Sequence, residues 1–141
     1  MNRTEFVLAG LYTDGREEFG PVQVQKLFFL IDKNIANLIG GPQFKFEPYN
    51  YGPFDREVYE ELDRLLADGY LELCFVGSIR NYSISEKGRE KAKELFNALD
   101  PSAKGFITKA SNFVRNLSFQ DLVRAIYKAY PEMREKSVFR G

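Results

Sequence analysis

Histidine and tryptophan are absent from the sequence, and Cys74 is its one cysteine. Without histidine the chain lacks the usual general base, the commonest metal ligand, and every catalytic pair of histidine with serine or cysteine. A single cysteine excludes an intramolecular disulfide bond and a cysteine-cluster metal site. We therefore expect a protein that is not an enzyme and that carries no cofactor and no bound metal, although a Mg²⁺ site built only from carboxylates stays open.

Long apolar runs are also missing. No run approaches the roughly 18–20 apolar residues that a membrane helix needs, and residues 1–5 lack the basic-then-apolar order of a signal peptide. With 44% hydrophobic and 15% aromatic residues in a chain of 141, the composition is typical of one folded domain. These features predict a cytoplasmic protein without a membrane partner.

Net charge is absent as well, because 20 lysine and arginine residues balance 20 aspartate and glutamate residues. The two signs are unevenly distributed along the chain. Residues 51–70 hold six acidic and two basic side chains, whereas residues 101–141 hold eight basic and three acidic ones. The chain is therefore polarised, which favours a charged partner at its C-terminal end.

Apolar spacing predicts six helices and three strands. The helices are expected over residues 4–12, 21–38, 55–68, 86–99, 102–117 and 118–130, and the strands over residues 44–49, 70–76 and 80–84. We expect the strand at 44–49 to lie beside the hairpin of the other two, which gives a small three-stranded antiparallel sheet. The outer face of the third helix is expected to carry Arg56, Glu57, Glu60, Glu61, Asp63 and Arg64.

This order of elements is typical of a mainly α (α+β) winged helix-turn-helix with an added C-terminal helical extension. We expect residues 1–100 to form the winged-helix core and residues 101–141 to pack on it as one compact domain. The segment Tyr51-Gly52-Pro53 is expected to be a structural turn that sets the entry into the third helix.

Turn and cap residues support these boundaries. Thr4, Asp55, Ser85 and Ser118 are expected to cap the helices that they begin or precede, and Gly77 with Ser78 is expected to form the tight turn of the hairpin.

Three stretches resemble a known family. Residues 24–30 (VQKLFFL) are similar to its "lQKLvYl" helix, residues 51–59 (YGPFDREVY) to its "YGPyspely" turn, and residues 82–89 (YSISEKGR) to the "Y.LTekGr" exit of many wings. The family comprises small winged-helix proteins that include the YwgA-like group and the SocA-like (Panacea) antitoxin superfamily. The resemblance covers about residues 21–95. It implies a non-enzymatic fold that binds DNA or holds a partner protein, in some relatives a toxin.

The first function hypothesis is a DNA-binding transcriptional regulator that contacts duplex DNA through its wing and its basic C-terminal face. The candidate contacts are Arg80, Asn81, Lys87 and Arg89 on the wing and its flank, with Arg56, Glu60 and Arg64 on the third helix. The acidic third helix counts against this hypothesis, because phosphates repel it.

The alternative is an antitoxin-like protein-interaction module that binds a partner through the acidic third helix or an aromatic groove. The aromatic residues concerned are Phe44, Phe46, Tyr49, Tyr51 and Phe54, which are more often core than surface. In either case we expect a homodimer. Wing and C-terminal cations gathered on one face favour DNA, whereas dispersed cations and an open apolar groove favour a protein.

Overall fold

Six helices carry most of the fold in the described part of the chain. The computed structural model describes residues 1–15 and 17–140. The helices are α1 (Arg3–Gly10), α2 (Pro21–Ile35), α3 (Arg56–Ala67), α4 (Glu86–Asn97), α5 (Pro101–Asn116) and α6 (Phe119–Ala129), with 3₁₀ turns at Ala36–Leu38 and Pro131–Arg134. As expected, Asp55, Ser85 and Ser118 cap α3, α4 and α6, because each side chain accepts a hydrogen bond from a backbone N–H of the first turn. The expectation that Thr4 caps the first helix is wrong, since the side chain of Asn2 accepts the N–H of Glu5 and caps α1.

Five short strands form two separate sheets within the described residues. They are β1 (Glu18–Phe19), β2 (Glu47–Tyr49), β3 (Gly52–Phe54), β4 (Leu71–Val76) and β5 (Ile79–Ile84). A three-stranded antiparallel sheet has the order β1-β5-β4, and β2 pairs with β3 in a two-stranded antiparallel hairpin. The prediction of a mainly helical α+β fold with a small antiparallel sheet is confirmed.

The predicted third strand of that sheet is wrong. The third strand is β1 and not residues 44–49. The carboxylate of Asp32 accepts the backbone N–H groups of Gln43 and Phe44 at 2.9–3.0 Å and so ties this segment to α2. Phe44 then packs edge-on against Phe28, which draws the segment into the core and away from the β4–β5 hairpin.

The segment Tyr51-Gly52-Pro53 belongs to the β2–β3 hairpin and is not an isolated turn. Tyr49 pairs with Gly52 across the loop of Asn50 and Tyr51. The φ of Gly52 is +103°, and a Cβ at this position would lie 3.4 Å from the ring of Tyr127. Glycine is therefore favoured here by the backbone conformation, whereas a Cβ would make an ordinary contact with Tyr127 of α6.

The β4–β5 hairpin has the predicted two-residue turn. Gly77 occupies the first central position with a φ of +65°, which is the conformation of a type II′ turn. Val76 pairs with Ile79 next to the turn, and the ladder continues to Leu71 and Ile84.

Helix α2 lies at the centre of one hydrophobic core. It packs against α5 and against β3, while α1 packs against α3 and α4. Ile107 and Val114 of α5 and Leu122 of α6 are buried in the same cluster as the apolar residues of α2. Residues 101–140 are thus packed on the preceding hundred. None of the helices in the described residues has both the length and the apolar character needed to span a bilayer.

Candidate functional site

The outer face of α3 is less acidic than the sequence suggested. Arg56, Glu60 and Arg64 are exposed, but the expectation that Glu61 is also exposed is wrong, since only 2% of Glu61 is accessible. Glu61 accepts a hydrogen bond from Arg3 Nε at 2.6 Å, and it is also paired with Arg64. Arg3 supplies this helix with a cation from α1 that the sequence pattern does not reveal.

The hydrogen bonds to Glu61 also set its protonation. Burial raises the pKa of Glu61, but hydrogen bonds from Arg3, Thr4 and Arg64 together outweigh burial and leave the pKa below its usual value. The buried carboxylate is therefore ionised at neutral pH and joins α1 to α3.

Two of the expected wing cations are engaged with the protein's own backbone. Lys87 Nζ donates to the carbonyl of Asp68 at 2.7 Å, at the C-terminal end of α3. Arg89 Nη2 donates to the carbonyls of Asp14 and Thr13 at 2.8 and 3.2 Å, in the loop after α1. These contacts fix the start of α4 against its neighbours, so both side chains have a structural role.

The other two expected wing residues lie on β5. Arg80 is exposed and its guanidinium lies 5.9 Å from the ring centre of Tyr82. Asn81 is half-buried and pairs with Cys74 of β4. Among the described residues, Arg80 is thus the one expected wing cation that is exposed and donates to no backbone carbonyl.

The tip of the β4–β5 hairpin is apolar and exposed. Phe75, Val76 and Ile79 are 67%, 57% and 60% accessible. Phe75 projects on one face of the ribbon, and Val76 and Ile79 on the other, because side chains alternate along a strand. The alternation of β4 predicted a half-buried strand, and it gave no sign that the hairpin extends beyond the core.

Val76 and Ile79 form one wall of an apolar groove. Leu117, Phe119 and Leu122 also line the groove, together with residues 20–23 at the start of α2 and Asn81 of β5. The groove encloses about 260 Å³. Phe119 stands at its edge with 44% of its surface accessible.

A second cavity, the tyrosine cavity, continues this surface. It is lined by Val22, Gln25, Lys26, Tyr49, Asn50, Tyr51, Gly52, Phe54 and Tyr59 and encloses about 160 Å³. Val22 lines both spaces, and the ring of Tyr51 meets that of Phe119 at 5.1 Å. Of the ten large hydrophobic side chains exposed in the described residues, five line these two spaces, namely Tyr49, Tyr51, Val76, Ile79 and Phe119.

The predicted aromatic group is therefore divided between core and surface. Phe44 is buried, and Phe46 packs edge-on against Phe29 of α2 at 5.6 Å. Tyr49, Tyr51 and Phe54 line the tyrosine cavity. The sequence indicated the aromatic cluster, but it did not separate its two halves.

Lys26 lies in the tyrosine cavity and is 3% accessible. Its ammonium donates to the carbonyl of Pro53 at 3.3 Å, and Gly52 lies beside it. Burial alone lowers the pKa of Lys26 from 10.5 to about 7, so no carboxylate of the described residues offsets the loss of solvent. Such a group in a cavity is a candidate for binding.

Comparison of the chain with protein-family models, with curated proteins and with solved structures gives no significant match. Within residues 1–15 and 17–140, no three or more histidine, cysteine, aspartate or glutamate side chains are grouped so that they could hold a metal ion.

Proposed function

We propose that the chain is a winged-helix protein-interaction module that binds an apolar segment of a partner protein in the groove between the β4–β5 hairpin and α6. The winged-helix assignment is supported by the order of α3, β4 and β5 and by the three-stranded sheet that β1 completes. In this assignment the β4–β5 hairpin is the wing.

One observation carries the protein-binding proposal, namely the continuous apolar surface of the groove and the tyrosine cavity. Solvated single hydrophobic residues are ordinary on a protein surface, but a contiguous set is typical of an interaction site. Val76 and Ile79 come from β-structure, Phe119 from α6 and Tyr51 from the β2–β3 hairpin. The fold thus brings residues distant in sequence to one open surface.

Duplex DNA is the less favoured partner. Phosphate contacts supply most of the affinity for nucleic acid, and they need available cations. Lys87 and Arg89 donate to backbone carbonyls, and the hairpin tip presents Phe75, Val76 and Ile79 where a DNA-binding wing would present cations. On the C-terminal helices Arg124 is paired with Asp121 at 3.2 Å and Arg115 with Glu17 at 3.9 Å, so these two cations are also engaged.

Selection of a random displayed peptide library on the immobilised chain tests the proposal. We expect enriched peptides with two or more large apolar residues. Their affinity should fall by about tenfold in Phe119→Ser and in Ile79→Ser, because each change removes an apolar side chain worth about 1.5 kcal/mol or more when it is covered. Phe113→Ser is the matched control, since Phe113 is 41% accessible on α5 and does not line the groove.

Two results would contradict the proposal. The first is peptide binding that Phe113→Ser weakens as much as Phe119→Ser does. The second is a failure to enrich peptides together with salt-dependent binding of random duplex DNA at about 50 mM salt that Arg80→Ala abolishes, which would favour the regulator. Arg80→Ala is the suitable variant, because Arg89→Ala would also release the loop after α1.

A further inference from the structure

Lys26 has hydrogen-bonding capacity that the folded chain does not use. An ammonium has three N–H donors, and the described residues accept one of them, through the carbonyl of Pro53. Charged groups that are this deeply buried are nearly always paired with an opposite charge. The described part of the chain supplies no such charge, since burial is the sole cause of the lowered pKa of Lys26.

Two other polar groups of the tyrosine cavity, the side-chain amide of Gln25 and the carbonyl of Asn50, already have hydrogen-bond partners. The side-chain amide of Gln25 donates to the carbonyl of Asp55, and its oxygen accepts the N–H of Asp55, at 2.9 and 3.0 Å. The carbonyl of Asn50 accepts a hydrogen bond from the N–H of Val138 at 3.0 Å. An incoming group therefore meets aromatic walls that carry the hydroxyls of Tyr49, Tyr51 and Tyr59, together with the buried ammonium of Lys26.

We propose that the tyrosine cavity binds a carboxylate, namely an aspartate or glutamate side chain of the partner segment, and that its oxygens accept the two free N–H donors of Lys26. The inference rests on the proposed function, because the cavity borders the groove and shares a lining residue with it. Continuity is provided by Val22, which lines both spaces, and by the contact of Tyr51 with Phe119. The partner segment thus combines apolar residues for the groove with one acid for the cavity.

The titratable groups that face Lys26 are phenols. Tyr49 and Tyr51 come from the β2–β3 hairpin and Tyr59 from α3, and Tyr127 of α6 meets the same side of Gly52. A bound carboxylate favours the charged ammonium, so binding is expected to be tightest below about pH 7 and to weaken as the amine loses its proton. Burial raises the pKa of Tyr59, so its phenol stays neutral in this window.

Small probes test the cavity without any partner protein. The probes are 3-phenylpropionate and its neutral isostere 3-phenylpropanamide, titrated into the wild-type chain while backbone amide shifts of Tyr51 and Gly52 are followed by NMR. We expect the acid to bind about tenfold more tightly than the amide at about pH 6, and this preference to shrink at about pH 8.5. Equal binding of acid and amide by the wild-type chain would overturn the proposal.

Variants assign the preference to Lys26. In Lys26→Met the ratio of the two affinities is expected to fall to about one. Lys33→Met is the control, because it removes a cation from the exposed side of the same helix and should keep the preference. A preference that persists in Lys26→Met would also overturn the proposal, and the comparison in the wild-type chain stands even if Lys26→Met does not fold.

The outcomes separate the two proposals. If peptides bind in the groove but the acid probe binds no more tightly than the amide, the interaction-module proposal is supported and the carboxylate-site proposal is contradicted. If the acid probe binds through Lys26 but no peptide binds in the groove, the carboxylate-site proposal is supported and the protein-binding proposal is contradicted. If both hold, a Glu→Gln or Asp→Asn change in the selected peptide should weaken its binding to wild type by about tenfold and leave its binding to Lys26→Met unchanged.

Discussion

Burial of Lys26 makes the stability of the chain depend on pH. The folded chain holds the pKa of Lys26 at about 7, whereas unfolding restores the usual 10.5. Between these values the unfolded chain binds more protons than the folded chain, so the free energy of unfolding rises with pH. Below about pH 7 both states carry the charge, and the folded state bears the full cost of burying an ammonium.

Lys26→Met is therefore expected to stabilise the chain, because methionine keeps an unbranched side chain and removes the buried charge. The gain should be about 2 kcal/mol at about pH 6 and should shrink as the pH rises to about 9. Urea denaturation at several pH values measures it, with Lys33→Met as a control that should keep the pH dependence of the wild-type chain. A gain that is constant with pH would show that the charge of Lys26 is not the source.

The sequence does not reveal that Lys26 is buried. The apolar stripe of α2 consists of Val24, Leu27, Phe28 and Ile31, and Lys26 lies outside it. A helical period identifies one covered face, whereas α2 is covered by α5 on one side and by β3 on another. The packing of β3 on α2 depends on contacts between residues distant in sequence, and the spacing of apolar residues along α2 does not reveal such contacts.

At the level of elements, α1 is joined to α3 by a network of charges around Glu61. Arg3 donates to Glu61 at 2.6 Å and to Glu57 at 2.8 Å, and Thr4 donates to Glu61 at 2.9 Å. Glu61 is inaccessible, whereas 52% of the Glu57 side chain is accessible. The two carboxylates bind the same arginine, but one is buried and the other is exposed to solvent. Variants at the two positions therefore compare the contribution of a buried ion pair to stability with that of an exposed one.

Glu61→Gln is expected to destabilise the chain by about 2 kcal/mol at neutral pH, because Arg3 then loses its buried counter-charge. Glu57→Gln, the matched control, should change stability by about 0.5 kcal/mol or less. Since the pKa of Glu61 is lowered by folding, its contribution is present above its usual pKa and is lost as the pH falls through the folded value. Chemical denaturation at neutral and acidic pH measures this, and equal losses in the two variants would contradict it.

Elements with a local signal could be predicted, and those set by distant contacts could not. Three helix caps and the turn at Gly77 depend on neighbouring residues, and the sequence predicted them. The pairing of β1 with β5 joins Glu18 to Ser83, and a strand of two residues has no period to detect. The apolar groove likewise depends on α6 and the β4–β5 hairpin lining one space, so local patterns in the sequence did not predict it.

For the whole molecule, the free edge of β4 bears on the expected homodimer. β4 is the outer strand of the three-stranded sheet. Next to a two-residue turn, Val76 and Ile79 exchange backbone hydrogen bonds, and alternate pairs along the ladder do the same. The backbone N–H and C=O groups of Leu71, Leu73 and Phe75 therefore point outward, which is the arrangement that another strand can extend.

In the predicted homodimer the two β4 strands would run antiparallel about Leu73. Leu73 then faces Leu73 of the second copy, and Leu71 faces Phe75. Glu72 faces Cys74, so the like charges of the two Glu72 residues are not opposed. Leu73 and Phe75 are 40% and 67% accessible in the single chain, and they lie on the face of the hairpin opposite to Val76 and Ile79, so the dimer and an occupied groove are compatible.

We expect the chain to sediment at twice its mass of 16.3 kDa and Leu73→Lys to sediment as a monomer, because the two-fold pairing would place two lysines opposite each other. Ile79→Lys is the matched control. It adds the same charge to the same hairpin but on β5, away from the free edge, so it should remain dimeric while it weakens peptide binding in the groove. Sedimentation equilibrium measures both variants, and circular dichroism checks that each is folded. A monomeric wild-type chain, or a Leu73→Lys variant that stays dimeric, would show that the β4 edge does not join two copies.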